Sequence, residues 1–323
     1  MKLLRVTAQG LPLFKEKLDL SFYAQQRVAE EDKMNLYSLF SNIYLNPANA
    51  FIGINASGKT SVLKVLLLAL GIINNEPINH MNTKDILGNT KNAILNVYFY
   101  SETTKEICRL ETVIISKNSK VEGVVYSIES ESLWSKKVEE ITTRKAMLDF
   151  EGREAFIVRD EQESFLSDDV SIMIAYNKRT GEHIKVVSML LFTNMNVLPF
   201  SEGIPAEVIS YLDPTIEKLN FEEKNEKPII HLKFKGKEEI VLNNAIELNN
   251  YLSSGTVKGM ITFTLAQEVL KDGGYLIVDE VENHFNKEIV STLIRFFMDG
   301  KINKNGGMLI FSTHYPELLD EYD

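Results

Sequence analysis

The stretch Phe51-Ile52-Gly53-Ile54-Asn55-Ala56-Ser57-Gly58-Lys59-Thr60-Ser61 fits G-x-x-x-x-G-K-[ST] from Gly53 to Thr60. The spacing has a physical reason. Two glycines let the backbone wrap closely round an anion, so that N–H groups from Gly53 through Asn55, Ala56, Ser57 and Gly58 point at phosphate oxygens. Lys59 is placed to reach the β- and γ-phosphates. Thr60 offers a hydroxyl to Mg²⁺, and Ser61 follows it. The flanks agree: Asn49 to Ile52 reads as a short buried strand, and Lys59 to Leu70 as a helix whose N-terminus adds positive dipole. Val62, Leu63, Val65, Leu66, Leu67, Leu68 and Leu70 make that helix apolar nearly all round, so it is expected to be buried, with Gly71 near its end.

Composition bounds the rest. The chain has 323 residues, 44% apolar and 25% charged, as in ordinary globular proteins. No apolar run reaches the length of a membrane span, and the N-terminal apolar stretch is too short for a signal peptide. Cys108 is the single cysteine, so no internal disulfide or cysteine zinc site can form. A cytoplasmic protein without membrane contact is expected. A net charge of −10 argues against a generally basic nucleic-acid surface, while leaving room for a local basic groove.

Strands are expected over residues 3–8 and 18–22. Three further β runs, Ala93–Tyr100, Ile107–Ser116 and Val121–Ile128, suggest an antiparallel meander, with Trp134 packing just after it. Glu30-Glu31-Asp32-Lys33 reads as a solvated loop. Val170 to Tyr176 fits strand or helix. Pro205 to Leu219 reads as helix interrupted at Asp213-Pro214. Pro228–Phe234 and Glu239–Leu242 read as a hairpin.

A second set of residues suits the same chemistry. Tyr275-Leu276-Ile277-Val278-Asp279-Glu280 reads as a buried parallel strand delivering two acids at its end. Asp279 can hold Mg²⁺ through its water shell, and Glu280 can act as general base on a water. Gly307 to His314 is another such strand, and His314 stands where a γ-phosphate sensor would. Leu252-Ser253-Ser254-Gly255-Thr256 precedes a helical run from Val257 to Leu270. Small hydroxyl residues and a glycine there suit an anion, although an ordinary N-cap reads the same way.

In this order the pieces resemble the ABC-type ATPase heads, nearer the SMC/RecF/OLD-like branch than transporter subunits. They look like bacterial AAA-family ATPases of abortive infection and phage defence. The block Asp279-Glu280-Val281-Glu282-Asn283-His284 and Ser312-Thr313-His314-Tyr315-Pro316-Glu317-Leu318-Leu319 add to the likeness.

The resemblance implies an α/β P-loop NTPase: a mixed or parallel core sheet, an antiparallel meander and a helical lobe. Lobe I would hold residues 1–135 and 270–323, and lobe II residues 136–269. It implies ATP and Mg²⁺ as cofactors, and catalysis by Glu280 with His314. It further implies a homodimer or higher homo-oligomer in which Ser253, Ser254 and Gly255 meet the partner's ATP, with Glu282, Asn283 and His284 along the seam. Ser254 and Thr256 depart from the transporter signature, and Gln162 is the one candidate in the middle region for the lobe-joining glutamine. A separate effector subunit, a nuclease or a toxin, is expected, with any nuclease either on that separate chain or in a continuation of this one. A DNA-maintenance ATPase, or an ATP-dependent scaffold with negligible turnover, is the alternative. The 220 residues separating Lys59 from Asp279 disfavour a transporter subunit.

Overall fold

A computed structural model describes residues 1–119, 123–159, 166–192, 204–224, 227–283 and 285–317. Gln162, His284, Leu318 and Leu319 lie outside the described residues. The chain divides into two compact units, residues 1–46 with 58–185, and residues 47–57 with 186–323. These limits differ from the lobe limits drawn on motif order. The strand before the P-loop pairs with one near residue 310, and 47–57 groups with the C-terminal half.

The first unit contains strands β1 (Lys2–Gln9), β2 (Leu18–Ser21), β3 (Tyr37–Phe40) and β4 (Ile43–Leu45). The chain then leaves it through β5 (Ala48–Ile52) and returns as helix α1 (Lys59–Ile73). Strands β6 (Ala93–Ser101), β7 (Glu106–Ser119), β8 (Gly123–Lys137) and β9 (Ile157–Val158) follow, with helices α2 (Arg144–Met147) and α3 (Met173–Thr180). Six strands form one antiparallel sheet, β2-β1-β6-β7-β8-β9, and β3 pairs with β4. In β7, buried and half-buried positions alternate from Cys108 to Ile115, as in a sheet with one packed face. Helix α1 buries Leu63, Val65, Leu66, Leu68 and Ala69 and packs beside β1.

Several expectations change here. Trp134 lies inside β8, which runs nine residues past the expected Ile128. It pairs opposite Arg109, whose guanidinium sits 4.8 Å from the indole ring. Gly71 is inside α1, because Asn177 donates its side-chain amide to the Ile73 carbonyl and carries the helix on. Asp32–Asn35 is a short 3₁₀ turn. Residues 173–180 settle as helix, ended by Gly181 at φ +69°.

The second unit contains β10 (Val186–Ser188), α4 (Ala206–Leu212), β11 (Ile216–Lys224), β12 (Lys227–Phe234) and β13 (Ile240–Leu242). After these come α5 (Ser254–Asp272), β14 (Tyr275–Val278), α6 (Lys287–Met298) and β15 (Met308–Thr313). The helix expected to resume after Asp213-Pro214 does not. Pro214 pushes Asp213 into extended backbone, and β11 begins two residues later. The β12–β13 hairpin forms as read and extends to β11.

The centre of this unit is a parallel sheet, β10-β14-β15-β5. Its core joins Leu276, Val278, Leu309 and Phe311 from the strands to Phe263 and Ala266 of α5 and Leu293 and Phe297 of α6. Gly259 lets α4 approach α5: a Cβ there would stand 2.6 Å from a Leu212 methyl.

Candidate active site

Strand register sets the site. Val278 lies beside Phe311, Thr313 beside Ile52, and all three strands run parallel. Their carboxyl ends therefore reach one edge of the sheet together. That edge carries Asp279 and Glu280 after β14, His314 after β15, and the loop from Gly53 to Ser57 after β5. In open parallel sheets ligands bind in the crevice outside these strand ends.

The acids are held in place. The Ser312 hydroxyl donates to Asp279 Oδ1 and accepts from the Glu280 N–H at 2.7 Å. Asp279 is 7% exposed. Glu280 has φ +47°, a left-handed conformation that costs a non-glycine residue on the order of 1 kcal/mol. Its backbone N–H bond to Ser312 and the 2.8 Å bond from Asn283 Nδ2 to its Oε2 hold it there. His314 Nε2 stands 3.9 Å from Glu280 Oε1, and the His314 N–H donates to Glu282 Oε1 at 2.7 Å. The 279–283 turn and the end of β15 are thus one hydrogen-bonded unit.

The P-loop has the shape its glycines predict. Ile54 to Ser57 are exposed, and Ala56 and Gly58 have φ of +62° and +93°. A Cβ on Gly53 would stand 2.7 Å from Ser57 Oγ, whereas one on Gly58 would meet nothing within 4 Å. The first glycine is required by close packing of the loop on itself, the second by backbone conformation. Gly58 is the N-cap of α1 and supplies no side-chain cap, and Lys59, Thr60 and Ser61 form the first turn. The loop's first half, Gly53–Ser57, groups with the acids, and Gly58 onward with the first unit.

The serine-glycine segment is a helix start. Ser253 is the N-cap of α5, and its Oγ accepts from the Thr256 N–H at 3.0 Å. Ser254 and Gly255 are the first two helical residues, so the helix begins three residues before the expected Val257.

Two residues were missed by the reading of motifs. Ser312 organises both acids, and its signal was its place one residue before Thr313 at the end of a buried strand. Lys258, on α5, is only 2% exposed. Burial lowers its pKa, while the Glu280 and Glu282 carboxylates act in the opposite direction. A lysine inside the apolar run Val257 to Met260 was the sequence signal for it.

A phosphate-binding loop and two carboxylates at the ends of strands that flank β15 in one parallel sheet define a P-loop NTPase fold. A family model described as "AAA domain, putative AbiEii toxin, Type IV TA system" matches residues 48–320, and the chain belongs to this family of AAA domains. P-loop ATPase families bind nucleotide, usually with Mg²⁺. Among solved structures, an SMC head domain from Thermotoga maritima is similar at 12% identity, over 100% of this chain and 93% of that one, with a TM-score of 0.46. No curated protein matches the sequence. Among the described residues no helix is long and apolar enough to cross a membrane.

Proposed function

We propose that the protein is an ATP-driven switch that binds and hydrolyses ATP as a homodimer closed around the nucleotide. The observation that carries this reading is the Ser312-centred network, which fixes Asp279 and Glu280 at the sheet edge beside the start of the P-loop. Lys59 and the loop amides would bind the phosphates. Thr60 and Asp279 would hold Mg²⁺, an ion that keeps several waters and needs only one or two protein ligands. When bound, it would neutralise charge on the phosphates. Glu280 takes the proton of the attacking water, and Asn283 fixes the carboxylate that does so. His314, within 4 Å of that carboxylate by its ring nitrogen, senses the γ-phosphate. The family description's words "putative AbiEii toxin, Type IV TA system" support a role in abortive-infection defence; a separate nuclease or toxin effector is part of what we propose.

In the dimer each Ser253–Gly255 segment would complete the partner's site, a two-fold arrangement with two identical composite sites. A mixing experiment tests this. Ser253→Arg and Lys59→Ala subunits are each expected to be inactive in phosphate release, and their mixture to regain part of the wild-type rate. Mixtures that remain inactive, with wild type monomeric in saturating ATP, would remove the composite site from the mechanism.

A further inference from the structure

The first unit contains a cavity of 680 Å³ lined by Arg27, Glu30, Lys33, Asn42, Tyr44 and Arg144, among others. No residue of Gly53–Ser61 lines it. Its walls are the segment 27–33, the β3–β4 hairpin and the start of α2. Arg144 joins two of them, donating from Nη1 to the Gln26 carbonyl at 2.6 Å and from Nη2 to the Asn42 carbonyl at 3.3 Å. Carbonyl partners orient a guanidinium without neutralising it. Lys33 is paired with Glu30 at 2.5 Å, and that bond raises its pKa and keeps it charged. Arg27 is exposed and has no carboxylate partner among the described residues. Three cations thus converge against one acid, in a chain whose net charge is −10.

That contrast has a chemical meaning. Surface cations in an acidic protein are ordinarily paired or dispersed. Here two guanidiniums, which match phosphate geometry with paired N–H donors, stand at one concavity with an amide and a phenol beside them. The volume falls within the roughly 300–1,000 Å³ range of small-ligand sites. A long polyanion would also meet more of a chain whose net charge is −10, whereas a compact one would meet only the pocket.

We propose that this cavity binds a small phosphate-bearing ligand of nucleotide size, at a site independent of the P-loop. The full-length chain carrying Lys59→Ala, which weakens the P-loop, is titrated calorimetrically with pyrophosphate, with ADP and with a short unphosphorylated oligonucleotide. Pyrophosphate or ADP is expected to bind at one site, to weaken as salt rises, and to lose about tenfold in affinity on adding Arg27→Glu. Binding of pyrophosphate as well as ADP assigns recognition to the phosphates, and binding of ADP alone assigns it to the whole nucleotide. Lys33→Gln is the second variant should Arg27→Glu fail to fold, as judged by thermal melting, and a similar loss is expected. The proposal is overturned if neither phosphate probe binds Lys59→Ala, if affinity is unchanged by these substitutions, or if only the oligonucleotide binds. None of these outcomes bears on ATP binding by wild type at Gly53–Thr60, so the two sites fail separately.

Discussion

The parallel sheet of the second unit and the antiparallel sheet of the first use their strands differently. In β14 and β15 every residue is buried, and polar groups are held back until the strand ends, where Asp279, Glu280 and His314 emerge. In the antiparallel sheet polar residues lie within the strands. Glu131 of β8 is 1% exposed, and its carboxylate accepts from Thr112 Oγ1 at 2.7 Å, Ser171 Oγ at 2.8 Å and the Ile172 N–H at 2.7 Å. The parallel sheet places charge at one edge for chemistry. The antiparallel sheet encloses charge to fix its own neighbours, here the entry to α3. Substitutions at the edge are therefore expected to act on turnover, and substitutions inside the antiparallel sheet on stability.

Glu280→Gln is the strongest test. It keeps shape and hydrogen-bonding capacity but removes the base, so steady-state phosphate release is expected to fall by about 10²–10⁴ with thermal stability kept. A wild-type rate would move the base elsewhere and dissolve the contrast. Lys59→Ala is next: ATP affinity measured by calorimetry is expected to fall more than tenfold, about 1.4 kcal/mol or more. Unchanged affinity would remove the P-loop from nucleotide binding.

Ser312→Ala sharpens the comparison, because this serine is both buried and at the edge. It strips a donor from Asp279 and an acceptor from the Glu280 N–H. A turnover loss of about tenfold, together with about 1–3 kcal/mol of destabilisation in denaturant melts, is expected. Full activity in this variant would show that the acids hold their geometry without it.

Glu131→Gln is expected to leave turnover unchanged and to cost about 1–3 kcal/mol, because one face of an amide presents N–H to the donors that a carboxylate accepts. The pH dependence has a definite sign. Burial raises the Glu131 pKa above its ordinary 4.5, against the pull of Thr112, Ile172, Ser171 and Arg159. Above pH 4.5 the folded state therefore holds this proton more tightly than the unfolded chain. Stability from this group declines as pH rises from there through the folded pKa. Urea melts across that range are expected to show a shallower decline in Glu131→Gln; an unchanged slope would assign it to other groups.

Legibility in the sequence divides along the same line. Strands β14 and β15 were readable because a fully apolar run ending in acids has few other uses, and the P-loop because its spacing is chemically specific. The helix at Ser254 and the end of α1 were misjudged by three residues each. Capping by Ser253 and a distant amide from Asn177 decided them, and neither has a local period. Ser312 and Lys258 could not be assigned partners, because their contacts join segments 32 and 22 residues apart or more. Trp134 was set outside its strand because Ser130 to Ser132 breaks the apolar alternation, although Ser132 pairs with Glu111 inside the sheet.

Residues 47–57 belong to the second unit while the chain on either side of them belongs to the first. This has a consequence for biosynthesis. Strand β5 leaves the ribosome early, yet its hydrogen-bonding partner β15 is made far later. At ordinary translation rates the roughly 260 intervening residues take on the order of tens of seconds. During that interval Ala48–Ile52 has no sheet to join, and its backbone is an open template for other chains. A chain ended at residue 185 would keep the whole first unit but leave residues 47–57 without the rest of the second. The nascent protein must keep β5 shielded until β15 emerges, so completion of the phosphate loop's supporting strand reports that synthesis has reached β15.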